Sequence, residues 1–256
     1  MPRNPQPGNQ SMYQKRSYRN TLCGNNLVSF RVAVKETDLF IHSAKNIKHI
    51  ARELTLQHRG YIETYIKRHP EFEKTLQPWK INEPVPNIIS DMTQAGEKAG
   101  VGPMASVAGA VAEHVGVGLL EHTDEVIVEN GGDLFIKTDN PVTVGIFAGK
   151  SPLSMHIGIH VDPGGKQVAV CTSSGSVGHS FSMGKADAVC VVSESCSLAD
   201  AAATSIGNHV IKKTDIQKAI DFGKTIERVK GIAVIADDKI GMWGDVKIVA
   251  LKGKKG

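Results

Sequence analysis

The chain has 256 residues, 41% hydrophobic and 22% charged, the make-up of an ordinary globular protein long enough to bury a substantial core. Its formal net charge of +4 is slight, and much of it lies near the ends, in Arg3, Lys15, Arg16 and Arg19 and in the tail from Lys252 to Gly256. Aromatic residues are only 5%, which speaks against the basic, aromatic-interleaved surface that binds nucleic acid, and no run of about 18 apolar residues offers a membrane span.

Residues 1 to 12 are polar and proline-rich without the apolar centre of a secretory signal, so a disordered tail, a single composite domain over 13 to 256 and a cytoplasmic location are expected. Cys23, Cys171, Cys190 and Cys196 form no C-x-x-C pair and read as free thiols, small hydrophobes of the interior. Cys196 stands just before a predicted helix whose N-terminus would lower its pKa.

In chain order, residues 27 to 34 and 38 to 42 are apolar or alternating with β-branched content and predict a hairpin. Apolar residues then recur at helical intervals from Asn46 to about His69, and Gly60 is expected to divide them into two helices. Pro70, Pro78, Pro84 and Pro86 enforce an irregular crossing before helices at about 87 to 100 and 104 to 120. Short strands follow at 124 to 128, 133 to 137, 142 to 148, 156 to 161, 167 to 172 and 187 to 193. Ser195 or Ser197 can cap a helix to about Val210, and Thr214 a second over 215 to 223. Two closing strands, 232 to 236 and 246 to 251, complete an α+β fold with helices and strands segregated. The helix of tiny residues and the exposed strand edges make a homodimer an expectation.

Three clusters have the residue types of a ligand site. Asn130-Gly131-Gly132-Asp133 breaks a β-like run with residues that open unusual backbone conformations and free N–H groups, suited to a small anionic or nucleotide ligand, although many hairpins use such a turn. Thr172-Ser173-Ser174-Gly175 offers hydroxyls and amides after a strand, and His179 a group able to move a proton; a plain Ser/Gly hairpin has the same composition. Asp200 and Thr204 stand four apart on a helix, so a carboxylate and a hydroxyl share a face, an oxygen set suited to Mg²⁺; an acid near a helix N-terminus and a back-bonding Thr have the same spacing. His156 and His160 lie on a strand with no partner at zinc spacing, and G-x-S-x-G, P-loop and dinucleotide-fold signatures are absent.

Taken together, Gly131-Gly132-Asp133, Thr172-Ser173-Ser174-Gly175 and Ala199-Asp200-Ala201-Ala202-Ala203-Thr204 resemble, in order, three motifs of the ApbE superfamily of FAD:protein FMN transferases. The strings at 30 to 41, 61 to 79, 100 to 113 and 128 to 134 are similar to an ApbE-related family of anaerobic and methanogenic prokaryotes, and the likeness covers nearly the whole chain. It implies an ApbE-like, T-fold-related domain of antiparallel sheets and packed helices, holding FAD or another nucleotide. Asp200 and Thr204 would bind Mg²⁺, with Asp200 and His179 the catalytic residues. Where the transferases carry Lys-Gly in the small-residue helix this chain has Ala108-Gly109, and their His-x-x-Asp-Pro segment is reduced to 178 to 182. The resemblance also implies an alternative, a non-catalytic accessory protein of anaerobic sulfur assimilation that serves homocysteine formation.

Overall fold

A computed structural model describes residues 27–174 and 184–251. The expected N-terminal tail, Gly175 and His179 lie outside these residues. The hairpin forms from β1 (Val28–Val34) and β2 (Thr37–Ser43), and α1 (Lys48–Arg68) follows as one uninterrupted helix. Gly60 does not divide it: the position its Cβ would take faces open space, while Ala51, Thr55, Ile62 and Tyr65 supply the buried stripe that holds the helix down. The prolines leave only the single turn α2 (Glu71–Lys74) before α3 (Asn87–Ala99), which ends on Gly100 in the left-handed conformation. A 3₁₀ turn, Pro103–Ser106, leads into α4 (Val107–Leu119).

The remaining elements are β3 (Val126–Asn130), β4 (Asp133–Lys137), β5 (Val142–Gly145), β6 (Ile157–Val161), β7 (Gln167–Ser173), β8 (Ala188–Ser193), α5 (Cys196–Asn208), α6 (Ile216–Gly223), β9 (Val229–Ala236), β10 (Lys239–Gly244) and β11 (Lys247–Ala250). The closing segment differs from expectation. Residues 239 to 244 form a strand of their own paired with β9, while β11 leaves the main sheet to pair with β6. Thr214 caps nothing; α6 begins at an Asp215 whose carboxylate accepts the N–H groups of Ile211 and Lys212.

Eight strands make one antiparallel sheet in the order β1-β2-β3-β4-β7-β8-β9-β10, and β11-β6-β5 make a second. Three layers result. Helices pack on one face of the large sheet, burying Val126, Val128, Phe135, Cys171 and Val191. The small sheet covers the other, burying Ile127, Leu134, Ile136, Val170 and Cys190 against Val144 and Ile159. Because both faces of the sheet are covered, every position of β3 is buried, which is why Val126-Ile127-Val128 run apolar without alternation. The tiny residues of α4 let it lie close on its neighbours: a Cβ on Gly116 would stand 2.3 Å from the Phe135 ring.

Candidate functional site

The site is built where the first turn of α4, the middle of α5 and the β3–β4 turn meet. The first N–H groups of a helix have no partner within it, and here the usual local solution fails. Ser106, at the N-cap of α4, donates its hydroxyl to Pro103 O (2.7 Å). Asp200 takes over from 91 residues away: its Oδ2 accepts Gly109 N–H at 2.8 Å, and the Ala108 amide also faces the carboxylate. The approach requires glycine, since a Cβ on Gly109 would lie 2.3 Å from Cys196 O and 2.8 Å from Asp200 Cβ. Asn130 secures the same turn by donating from Nδ2 to Ala108 O (3.0 Å).

The favour is returned one turn away. Glu113 of α4 accepts from Ser197 N (3.0 Å), Ser197 Oγ (3.1 Å), Ser195 Oγ (3.2 Å) and Gln167 Nε2 (3.0 Å), so it holds the N-terminus of α5. Ser195 is the local N-cap, accepting Leu198 N–H at 3.3 Å, as one of the two expected residues. A cavity of about 590 Å³ opens at this end, lined among others by Asp91, Lys98, Glu113, Lys166 and Arg228.

Asp133 opens β4 on the helix face, 6% exposed, and feels the charge of Asp200. Burial first, then that neighbouring charge, pushes its pKa well up, while the Cys171 thiol and the Thr172 amide favour its charged form. Burial likewise raises Asp200, to about 7, against the pull of the Gly109 and Ala108 amides. Two buried acids thus share one polar space. Among the described residues Asp133 Oδ1 has no hydrogen-bond partner, and neither has the buried Thr204 Oγ1, one helical turn beyond Asp200. Among the described residues no group of three or more His, Cys, Asp or Glu could hold a metal ion, and that includes His156 and His160.

The thiols belong to this neighbourhood too. Cys171 Sγ lies 3.4 Å from Cys196 Sγ. The helix N-terminus does not lower Cys196, contrary to expectation: complete burial outweighs it and raises the thiol to about 12, and Cys190 to about 11. Such thiols are poor nucleophiles at neutral pH.

The sequence-predicted residues are split between two faces and rejoin at the strand ends. Asn130, Asp133 and Asp200 meet on the helix side, whereas Thr172 turns to the other face and donates from Oγ1 to Cys190 Sγ (3.3 Å). Gly131 and Gly132 both have positive φ, 71° and 114°, as the tight turn demands, and the place a Gly132 Cβ would occupy is 3.6 Å from Thr172 O. Ser173 and Ser174 end β7 half-buried beside this turn. Sequence reasoning missed Glu129, whose Oε1 accepts Gly132 N–H at 3.0 Å. Its only local signal is a carboxylate three residues before the second glycine.

With this geometry the chain has the ApbE fold. It is similar to the flavin transferase ApbE of Vibrio cholerae (TM-score 0.58, 14% identity, 85% of this chain and 96% of that one). It is also similar to the apo form of the Pseudomonas stutzeri flavinyl transferase ApbE (TM-score 0.55, 12% identity, 85% and 94%). A family model described as "AbpE bacteria" matches residues 19–242. Relatives include the UPF0280 proteins of Methanosarcina barkeri, 42% identical over 217 residues (83% of this chain, 85% of that one), and of Methanococcus aeolicus, 40% identical over 227 (86% and 91%). The chain belongs to this ApbE-related family.

Proposed function

We propose that the chain binds a flavin nucleotide at the junction of α4, α5 and the β3–β4 turn, and transfers FMN from FAD to a Thr or Ser hydroxyl of a protein. The observation that carries this reading is the pair of buried oxygens without a partner among the described residues, Asp133 Oδ1 close to the Asp200 charge and Thr204 Oγ1 one helical turn from Asp200. Buried polar atoms mostly find a protein or water partner, and of those here that have none among the described residues these two stand on the ligand-site motifs. The donors are all oxygen and include few protein groups, which fits Mg²⁺, an ion that completes its shell with water and phosphate. A bound Mg²⁺ ion would neutralise pyrophosphate charge while the phosphorus–oxygen bond to AMP breaks.

The chain's own residues set the stage for that exchange. The α4 amides fix the Asp200 carboxylate in place, so Asp200 and Thr204 can hold the ion with little reorganisation. The ends of β4 and β7, with Thr172, Ser173, Ser174 and Gly175, would bound the nucleotide. The acceptor hydroxyl forms its bond to the FMN phosphorus as AMP leaves, and its proton passes to His179, in the segment after β7. Purified protein given FAD, Mg²⁺ and a Thr-containing acceptor should yield AMP and a covalently yellow product. Asp200→Asn should lower that yield by about 100-fold or more, the scale of a lost charge-stabilising group. Absence of both products from the unaltered protein would reject catalysis.

A further inference from the structure

The β3–β4 turn has the backbone of an anion cradle, with two successive glycines of positive φ. Its Gly132 donor is already engaged, because Glu129 Oε1 accepts that N–H at 3.0 Å. Glu129 is 1% exposed and rises from the face of β3 shared with Ile127, opposite to the face that carries Asn130 toward α4. A buried carboxylate held there is an internal anion in the seat a phosphate would take. Its charge is felt at Asp133, where it adds to that of Asp200.

We propose that Glu129 is a selectivity residue: the carboxylate charge it places against the Gly132 amide excludes phosphate from the turn, so that phosphorylated ligands enter only on the Asp200–Thr204 side and only together with a cation. This rests on the flavin-nucleotide reading for the identity of the natural ligand, but the exclusion itself concerns any phosphate. Like charges across a short, water-poor gap repel strongly, whereas a cation between phosphate and Asp200 reverses the sign of the interaction. The turn is then free to read the uncharged part of a nucleotide, and Glu129 keeps the phosphates from binding in the wrong register.

The test uses inorganic pyrophosphate as probe, titrated calorimetrically into the full chain and into Glu129→Gln, with and without Mg²⁺. The unaltered chain should bind pyrophosphate only with Mg²⁺, and Glu129→Gln should bind it without the ion at least about tenfold more tightly than the unaltered chain does, a modest fraction of one charge contact. Riboflavin, which has no phosphate, should bind both proteins equally. A merely structural Glu129 would shift all ligands alike. Equal pyrophosphate binding by the two proteins without Mg²⁺ overturns the proposal. Should Glu129→Gln fail to fold, the Gly132 amide resonance of the unaltered chain decides: it should not move when pyrophosphate is added alone, and movement overturns the idea. If neither protein binds FAD yet the pyrophosphate contrast holds, the flavin reading fails and the role of Glu129 stands.

Discussion

The two ends of the α4–α5 contact use one device to different effect. At each, a carboxylate of one helix satisfies the first-turn amides of the other, Glu113 serving α5 and Asp200 serving α4. Glu113 gathers four hydrogen bonds from backbone, serine and glutamine donors beside an open cavity. Asp200 is more deeply buried, stands against a second acid, and has one turn away a hydroxyl with no partner among the described residues. A saturated carboxylate stabilises the fold and has little left to offer a ligand. Buried oxygens with no partner among the described residues, as on Asp133 and Thr204 around Asp200, cost stability and mark where a ligand belongs.

The strongest way to break the comparison is at the contact itself. Gly109→Ala forces a Cβ into Cys196 O and Asp200 Cβ, so the helices must part; denaturant unfolding should show a loss of about 3 kcal/mol, with ligand binding lost alongside. Glu113→Ala should cost about 2 kcal/mol, because α5 loses its remote cap and several donors lose their acceptor, yet FAD binding should persist. If binding falls as far as stability, the two ends are not separable.

Acidity sharpens the same contrast. Asp133 and Asp200 have folded pKa values above their unfolded ones, so the folded chain holds more protons through the window from the ordinary 3.8 to about 7. These two carboxyls should therefore contribute a stability that falls as pH rises across that window, opposite in sign to His58, whose folded pKa burial lowers to about 4. The Tm difference between the unaltered chain and Asp200→Asn at pH 5 and pH 7.5 isolates the carboxyl part. Asp200→Asn should flatten the slope, and Mg²⁺ should raise Tm more at pH 7.5, where protons no longer compete for the carboxylates. The smallest effect has the most telling sign. Thr204→Val removes a buried hydroxyl that makes no hydrogen bond among the described residues, so it should leave stability unchanged or raise it by about 1 kcal/mol while weakening Mg²⁺ binding. A loss of stability would mean that Thr204 has a structural partner.

The α+β class, the first hairpin, α3, α4 and α5 were legible because hydrophobic period, prolines and capping residues are local signals, and the ordered motifs added the family likeness. Gly60 misled because a glycine in a helix ends it only when nothing else holds the helix down, and the buried stripe of α1 does. The final strands misled because an exposed edge strand such as β10, punctuated by Gly241 and Gly244, has a weak apolar pattern. In the candidate site, Asp200 and Thr204 were visible as a pair four residues apart, but Glu129 and the helix-capping role of Asp200 were not.

Sequence alone thus determined most of the segments that become helix or strand and which small residues permit close approach, since backbone sterics and side-chain period act over a few residues. Tertiary structure decided which amides those acids satisfy, which pKa values rise and on which face of the sheet each turn residue points. Such properties depend on burial and on charges brought together from segments 91 residues apart, as in Asp200 and Gly109, and no local window of the chain contains them.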